Sequence, residues 1–153
     1  MPRVCREISK SAIVDVIEFT AQDAELLSAS RKLRAVVWNA QAHVGHDIFP
    51  TDGWADSHDD HAIHFAIRTG SGEVIAAARL CIHSFMRDFP DYEDIENLLP
   101  QLQPLKLQPP IGMMNRLVVR PHHQGKGLAK LLDIVRLQKA AEVGCQSMLV
   151  DVP

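Results

Sequence analysis

The sequence predicts an α/β fold, a mixed and largely antiparallel sheet flanked by helices, and three observations carry that expectation. Residues 62–69 alternate, Gly70-Ser71-Gly72 turns, and residues 74–82 continue as an apolar run, which together read as a β-hairpin. Residues 111–119 form another almost wholly apolar run, and behind it Leu128, Leu131, Leu132 and Val135 recur at helical spacing. A last short strand over 146–152 completes the order strand, loop, helix, strand, which predicts a parallel pair across the helix.

Taken in order, residues 12–19 are rich in β-branched side chains and form the first strand. Thr20 opens a Thr-x-x-Asp sequence in which Asp23 stands where a capping-box acid reaches back, so a helix follows over about 21–42. Leu26, Leu33, Val37 and Ala40 share its packed stripe, while Arg31, Lys32 and Arg34 lie on its other face. The polar, aromatic-punctuated loop 43–60 is long enough to cover a substrate or to be a mobile segment. The hairpin supplies strands two and three. From 83 to 110 the prolines Pro90, Pro100, Pro104, Pro109 and Pro110 leave room for one short helix at 91–99. Strand four, its loop and the long helix to Val143 follow; Gly144 caps that helix, and the fifth strand ends the chain.

With 153 residues and 46% hydrophobic content, the whole of 1–153 suits one domain with an adequate core. No apolar run approaches the ~20 residues of a membrane span, and Arg3, Arg6, Glu7 and Lys10 interrupt any signal-peptide core, so no membrane partner and a cytoplasmic address are expected. A net charge of -3 argues against bulk capture of nucleic acid. Cys5, Cys81 and Cys145 are too widely spaced for a disulfide framework or a zinc site. His58, His61 and His64 beside Asp56, Asp59 and Asp60 invite a metal reading. On a strand, however, His61 and His64 point to opposite faces, so no metal is expected.

The chemistry concentrates in Arg120-Pro121-His122-His123-Gln124-Gly125-Lys126-Gly127-Leu128-Ala129, which joins strand four to the long helix. Gly125 and Gly127 permit backbone angles and close approach that a Cβ would forbid, and the helix start offers unpaired N–H groups at a positive dipole end. That is a ready anion site, against the alternative of an ordinary strand-to-helix connection that uses its glycines for the turn. It is neither a Gly-x-x-x-x-Gly-Lys-Ser/Thr loop nor a full dinucleotide fingerprint.

Gln124, Gly127 and Ala129 instead fill the three positions of Gln/Arg-x-x-Gly-x-Gly/Ala, and with the preceding run from Asn115 to Pro121 the segment resembles the pyrophosphate loop of the GNAT superfamily of N-acyltransferases. The resemblance implies a GNAT-like fold and an acyl-CoA co-substrate, acetyl-CoA in the first instance, with a small amine acceptor. It implies that backbone groups of Leu117, Val118 and Val119 take the pantetheine arm. Gln124, Gly125, Lys126, Gly127, Leu128 and Ala129 would surround the pyrophosphate, with Lys126 as the direct charge contact. A strand-four N–H, at Val119 or Val118, would polarise the thioester. Many relatives carry a base on strand four, but Gly112-Met113-Met114-Asn115-Arg116 offers no carboxylate, which leaves Asp151 and His64 as the nearest titratable groups.

A looser similarity, through Arg34, Trp54, Asp56, Asp59, Arg79, Phe89-Pro90 and Arg116, is to acyl-homoserine-lactone synthases, although the glutamate those enzymes carry three residues before the strand-four arginine is Met113 here. It makes Arg79 and Arg116 candidate acceptor-binding arginines, against the alternative that they are solvated or paired with the aspartates at 56–60. GNAT domains usually continue through a further helix and two strands beyond the fifth. The absence of that half opens the alternative of a non-catalytic acyl-CoA-binding module, and a bare fifth-strand edge predicts self-association as a homodimer.

Overall fold

A computed structural model of the chain describes residues 3–9, 12–41, 48–97, 100 and 106–150. Among them, six strands form a single sheet in sequence order: β1 (Arg3–Ser9), β2 (Ala12–Phe19), β3 (Ile63–Arg68), β4 (Val74–His83), β5 (Ile111–Val119) and β6 (Ser147–Val150). All neighbours are antiparallel except β5 and β6, which run parallel from Ile111↔Ser147 to Met114↔Val150. The expected parallel pair is therefore present. Strand β1 was not expected, because its charged residues hide the alternation; it pairs with β2 along its full length.

Three helices among the described residues accompany the sheet: α1 (Ala24–Asn39), the short α2 (Tyr92–Glu96) and α3 (Leu128–Glu142). The cap of α1 differs from expectation. Asp23, not Thr20, is the N-cap, and its carboxylate accepts from the Leu26 N–H at 3.1 Å, as short polar side chains do at this position. Helix α1 packs Leu26, Leu27, Leu33 and Val37 on Ile17, Phe19, Ala66, Val74, Ala77 and Val118. Helix α3 packs Leu128, Leu131, Leu132 and Val135 on the opposite face, against Val16, Phe65, Ile67, Ile75, Leu80 and Met114. Ala40 lies at the exposed end of the predicted stripe, and Arg34, placed by its spacing on the outer face, is buried. No described helix is long and apolar enough to cross a membrane.

The alternation of β5 is broken once, between its two halves. Pairing with β4 slips between Ala77 and Arg79: Ala77 faces Val118, whereas Arg79 faces Asn115. One extra residue has thus been inserted into β5, a β-bulge. Arg116 sits at it with φ +54, in the left-handed region that a non-glycine residue rarely visits. The insertion resets the phase of the strand, so that Met114, Leu117 and Val119 all pack toward the α3 core while Val118 packs toward α1.

Candidate active site

Pairing with β6 reaches only as far as Met114, so the far half of β5 presents an edge with no strand beside it among the described residues. On that edge the backbone alternates. Arg120 N–H donates to the Ile75 carbonyl at 2.8 Å, and Val118 stands opposite Ala77, so these residues turn their polar groups toward β4. Val119 turns the other way, and its carbonyl accepts from Gln124 Nε2 at 3.1 Å. Its N–H shares that outward side, as does the backbone of Leu117 two residues earlier. Of the two N–H groups singled out from the sequence, that of Val119 lies on the outward side. Val118 borders the cleft without offering its N–H.

The loop behind this edge makes a short 3-10 turn at Pro121–His123 and enters α3 through Gly125 at φ +74 and Gly127 at φ +83. Gly127 is the N-cap of α3, and no side chain caps the helix, so its first N–H groups have no capping partner among the described residues. No described atom lies within 4 Å of where a Cβ would stand on Gly125 or Gly127, which leaves the loop backbone open to a ligand. Edge and helix start meet in one cleft of about 470 Å³. Leu117, Val118 and Val119 form one wall; Gln124, Gly125, Gly127, Leu128 and Ala129 form the other. Val37 of α1 and Gln41 just beyond it, together with His123 and Lys130, complete it; of these, Gln41 and Lys130 had not been singled out from the sequence. Backbone donors at a helix start suit a pyrophosphate, and a free strand edge suits an extended amide-bearing arm.

Lys126 lines a neighbouring hollow of about 640 Å³, beside Arg68, Gly70 and Ile75, which shares His123 and Leu128 with the cleft. Gln124 does something other than expected, since its amide braces the loop against β5.

The arginines lie in a buried ionic cluster. Arg34 Nη1 donates to both Asp59 oxygens at 2.8 and 3.0 Å, and Arg31 Nε donates to Asp59 Oδ2 at 2.9 Å. Arg79 Nη1 reaches Asp59 Oδ1 at 2.8 Å and Asp56 Oδ1 at 2.5 Å, and Arg79 Nε donates to Asn115 Oδ1 at 3.0 Å. Arg34, Asp59 and Arg79 are each at most 1% exposed. Burial alone would raise the carboxyl of Asp59, but the hydrogen-bonded Arg34, together with Arg31 and Arg79, holds it well below the usual carboxylate range. Arg79 is thus buried and paired with Asp56 and Asp59, the arrangement that the sequence set against an acceptor role, although its Nη2 has no partner among the described residues.

His64 belongs to the same cluster rather than to the cleft. Its Nε2 lies 2.8 Å from the Asp59 carbonyl, which only accepts, so Nε2 carries the proton and Nδ1 is left buried without a partner among the described residues. The ring stacks on Phe19 at 5.2 Å. Burial, with Arg34 and Arg79 nearby, pushes its pKa down to about 4. His64 is thus fully buried on β3, and β4 lies between it and β5. His58 packs edge-on against His83 instead of joining His64, and no group of three metal-ligating side chains occurs among the described residues. Asp151 lies outside the described residues.

Arg116 is nearly buried, with its side chain 9% exposed. Nε and Nη2 donate to Asp56 Oδ2 at 3.3 and 3.1 Å; Nη1 and Nη2 donate to Asp91 at 2.9 and 3.2 Å. Its guanidinium lies 4.3 Å over the Trp54 ring, and Trp54 stacks on Phe49. The segment bearing these aromatics is tied to α1. Asn39 exchanges two hydrogen bonds with the Phe49 backbone, and Trp54 N–H donates to the Arg31 carbonyl. At Gly53 a Cβ would stand 2.9 Å from Arg31 Cβ, so only glycine permits this approach.

A family model described as the acetyltransferase (GNAT) family matches residues 30–153. No curated protein matches the chain in sequence. Among solved structures, a ribosomal-protein-alanine N-acetyltransferase from Brucella melitensis biovar Abortus 2308 is 19% identical with a TM-score of 0.56, over 92% of this chain and 81% of that one. The aminoglycoside N-acetyltransferase AAC(6')-Iy, solved with CoA, is 17% identical with a TM-score of 0.57, over 96% and 80%. The aminoglycoside 6'-N-acetyltransferase AAC(6')-Ih from Acinetobacter baumannii is 14% identical with a TM-score of 0.55, over 92% and 80%. The fold, the glycine-bearing helix start and a family match that takes in the whole cleft agree: this chain belongs to the GNAT family of acetyltransferases.

Proposed function

We propose that the chain transfers an acyl group, acetyl in the first instance, from acyl-CoA to the amine of a small-molecule or peptide acceptor. One observation carries the reading: an uncapped glycine helix start and an unpaired strand edge open into the same cleft. In this reading the pyrophosphate takes the free N–H groups at the start of α3. The pantetheine arm adds to the outward backbone of Leu117 and Val119 as an extra strand would. Similar structures named as N-acetyltransferases support an amine as the acceptor, and the one solved with CoA supports the co-substrate.

The thioester carbonyl then lies against the Val119 N–H. The amine lone pair attacks the carbonyl carbon, the carbonyl electrons move to oxygen, and the Val119 N–H stabilises the resulting oxyanion. Collapse of that intermediate breaks the C–S bond, and CoA leaves as a thiolate that takes up a proton. Asp151, which follows β6 in the sequence, is our candidate to accept the proton shed by the amine. Its test is Asp151→Asn, expected to lower kcat by about 100-fold, a typical loss for a general base.

A panel of amines assayed for CoA release tests the activity. Release with at least one amine is the expected outcome; calorimetric binding of acetyl-CoA without turnover on any of them would instead make the chain a binding module. The proposal includes a cytoplasmic address, where acyl-CoA is available, and a homodimer joined at the outer edge of β6, where Val150 is 53% exposed. Sedimentation over a concentration series tests the dimer, and a monomer throughout refutes it.

A further inference from the structure

The bulge in β5 is gripped from both faces of the sheet, and neither grip belongs to the acyl-CoA cleft. On the α1 face Arg116 is anchored by Asp56, Asp91 and the ring of Trp54. On the α3 face Arg136, 1% exposed, sends Nη1 to the carbonyls of Arg79 and Asn115 at 3.2 and 3.3 Å. Those two carbonyls belong to the Arg79–Asn115 pair that borders the slip in the β4–β5 ladder on one side, where an inserted residue disrupts the regular pairing. Arg136 also bonds to the Leu132 carbonyl and to Asp133, so it is fixed within the helix that begins at the phosphate loop.

We propose that Arg116 and Arg136 are positioning residues for acyl transfer: together they hold the bulge that turns the Val119 N–H out of the ladder and toward the thioester. The inference rests on the acyltransferase reading and deepens it. The reason is geometric. A left-handed Arg116 is an unfavoured backbone state that persists only if the surroundings over-determine it. Relaxing it by one residue of register would exchange the sides to which residues 117–119 direct their backbone groups, and Val119 would then bond to β4 instead of the substrate. Arg136 additionally ties that bulge to α3, so the two ends of the cofactor cleft share one rigid connection.

The test compares four variants. Arg116→Gly accepts φ +54 without strain but has no anchors, and Arg116→Lys keeps the cation. Arg136→Met keeps the stem but cannot donate, and Arg136→Lys keeps a donor. For Arg116→Gly and Arg136→Met we expect kcat to fall at least tenfold while KM for acetyl-CoA changes less than threefold, because residues 124–129 are untouched. Both lysine variants should recover part of kcat. In amide NMR spectra, added acetyl-CoA should still shift Gly127 in the variants but shift Val119 less than in the wild type. An unchanged kcat, or a loss confined to KM, overturns the proposal even if one variant is too unstable to assay, since the other face remains to be tested. Wild-type protein that shows neither shift overturns the acyltransferase reading itself, and this inference with it.

Discussion

The cleft at the start of α3 and the buried ionic cluster are built on opposite principles. In the cleft the polar groups on offer belong to the backbone: the outward groups of Leu117 and Val119 and the uncapped N–H groups at the start of α3. Side chains there mostly supply shape, and Gly125 and Gly127 contribute by having none. In the cluster everything depends on side-chain identity: three buried or nearly buried guanidiniums converge on Asp56 and Asp59. A backbone site tolerates substitution at most positions. A buried charge network tolerates almost none, because removing one partner leaves the others desolvated and unpaired.

The largest effect should follow from breaking the cluster at its centre. Asp59→Ala strands Arg34 and Arg79 without their shared carboxylate, and urea unfolding should show a loss of about 3–5 kcal/mol, as for other broken buried pairs. A loss under 1 kcal/mol would mean that the cluster is not the tight structural unit described.

Next comes acid sensitivity at His64. Its folded pKa, near 4, lies below an unfolded value near 6.5, so the unfolded chain binds more protons between those values. Stability is therefore complete above about pH 6.5 and declines as pH falls toward 4, by on the order of 3 kcal/mol from this one group. His64→Gln should flatten that decline in unfolding measured at pH 7 and pH 5. An equal decline in both proteins would assign the acid sensitivity elsewhere.

Changes in the cleft should be felt in binding more than in stability. Gly127→Asp puts a carboxylate where phosphate is expected and a Cβ on a residue at φ +83, so acetyl-CoA affinity should drop at least tenfold, about 1.4 kcal/mol, by calorimetry. Unchanged affinity would remove the phosphate site from this loop. Lys126→Ala should do least: its side chain borders the neighbouring hollow, so less than a threefold change in affinity is expected, under about 0.7 kcal/mol. A tenfold loss would instead restore the direct charge contact that the sequence suggested.

The same division explains what could be read in advance. The cleft was legible because its requirements are local. Glycines at a strand-to-helix turn, an apolar run before them and a helical stripe after them are adjacent in the chain, and β5 was predicted at the bounds observed, Ile111–Val119. The cluster was only half legible. Arg34 was assigned to an outer helix face by its spacing, yet it is buried because residues 48–60 fold back over α1 and supply Asp59. Arg136 gave no signal at all: nothing near it in sequence marks it as the donor to two carbonyls on other elements.

By itself, then, the sequence determined the order of the sheet strands from β2 onward, the parallel pair across α3 and the glycine-bearing start of that helix, all of which follow from hydrophobic period and glycine placement over short spans. Only the tertiary structure decided which backbone groups face the cleft, because a strand's sidedness depends on its register with a neighbour and one inserted residue at Arg116 inverts it. The fates of Arg79 and His64 were likewise decided there. A titratable side chain acquires its role from what surrounds it, and those neighbours, Asp56, Asp59 and Phe19, are brought to it by packing rather than by the chain.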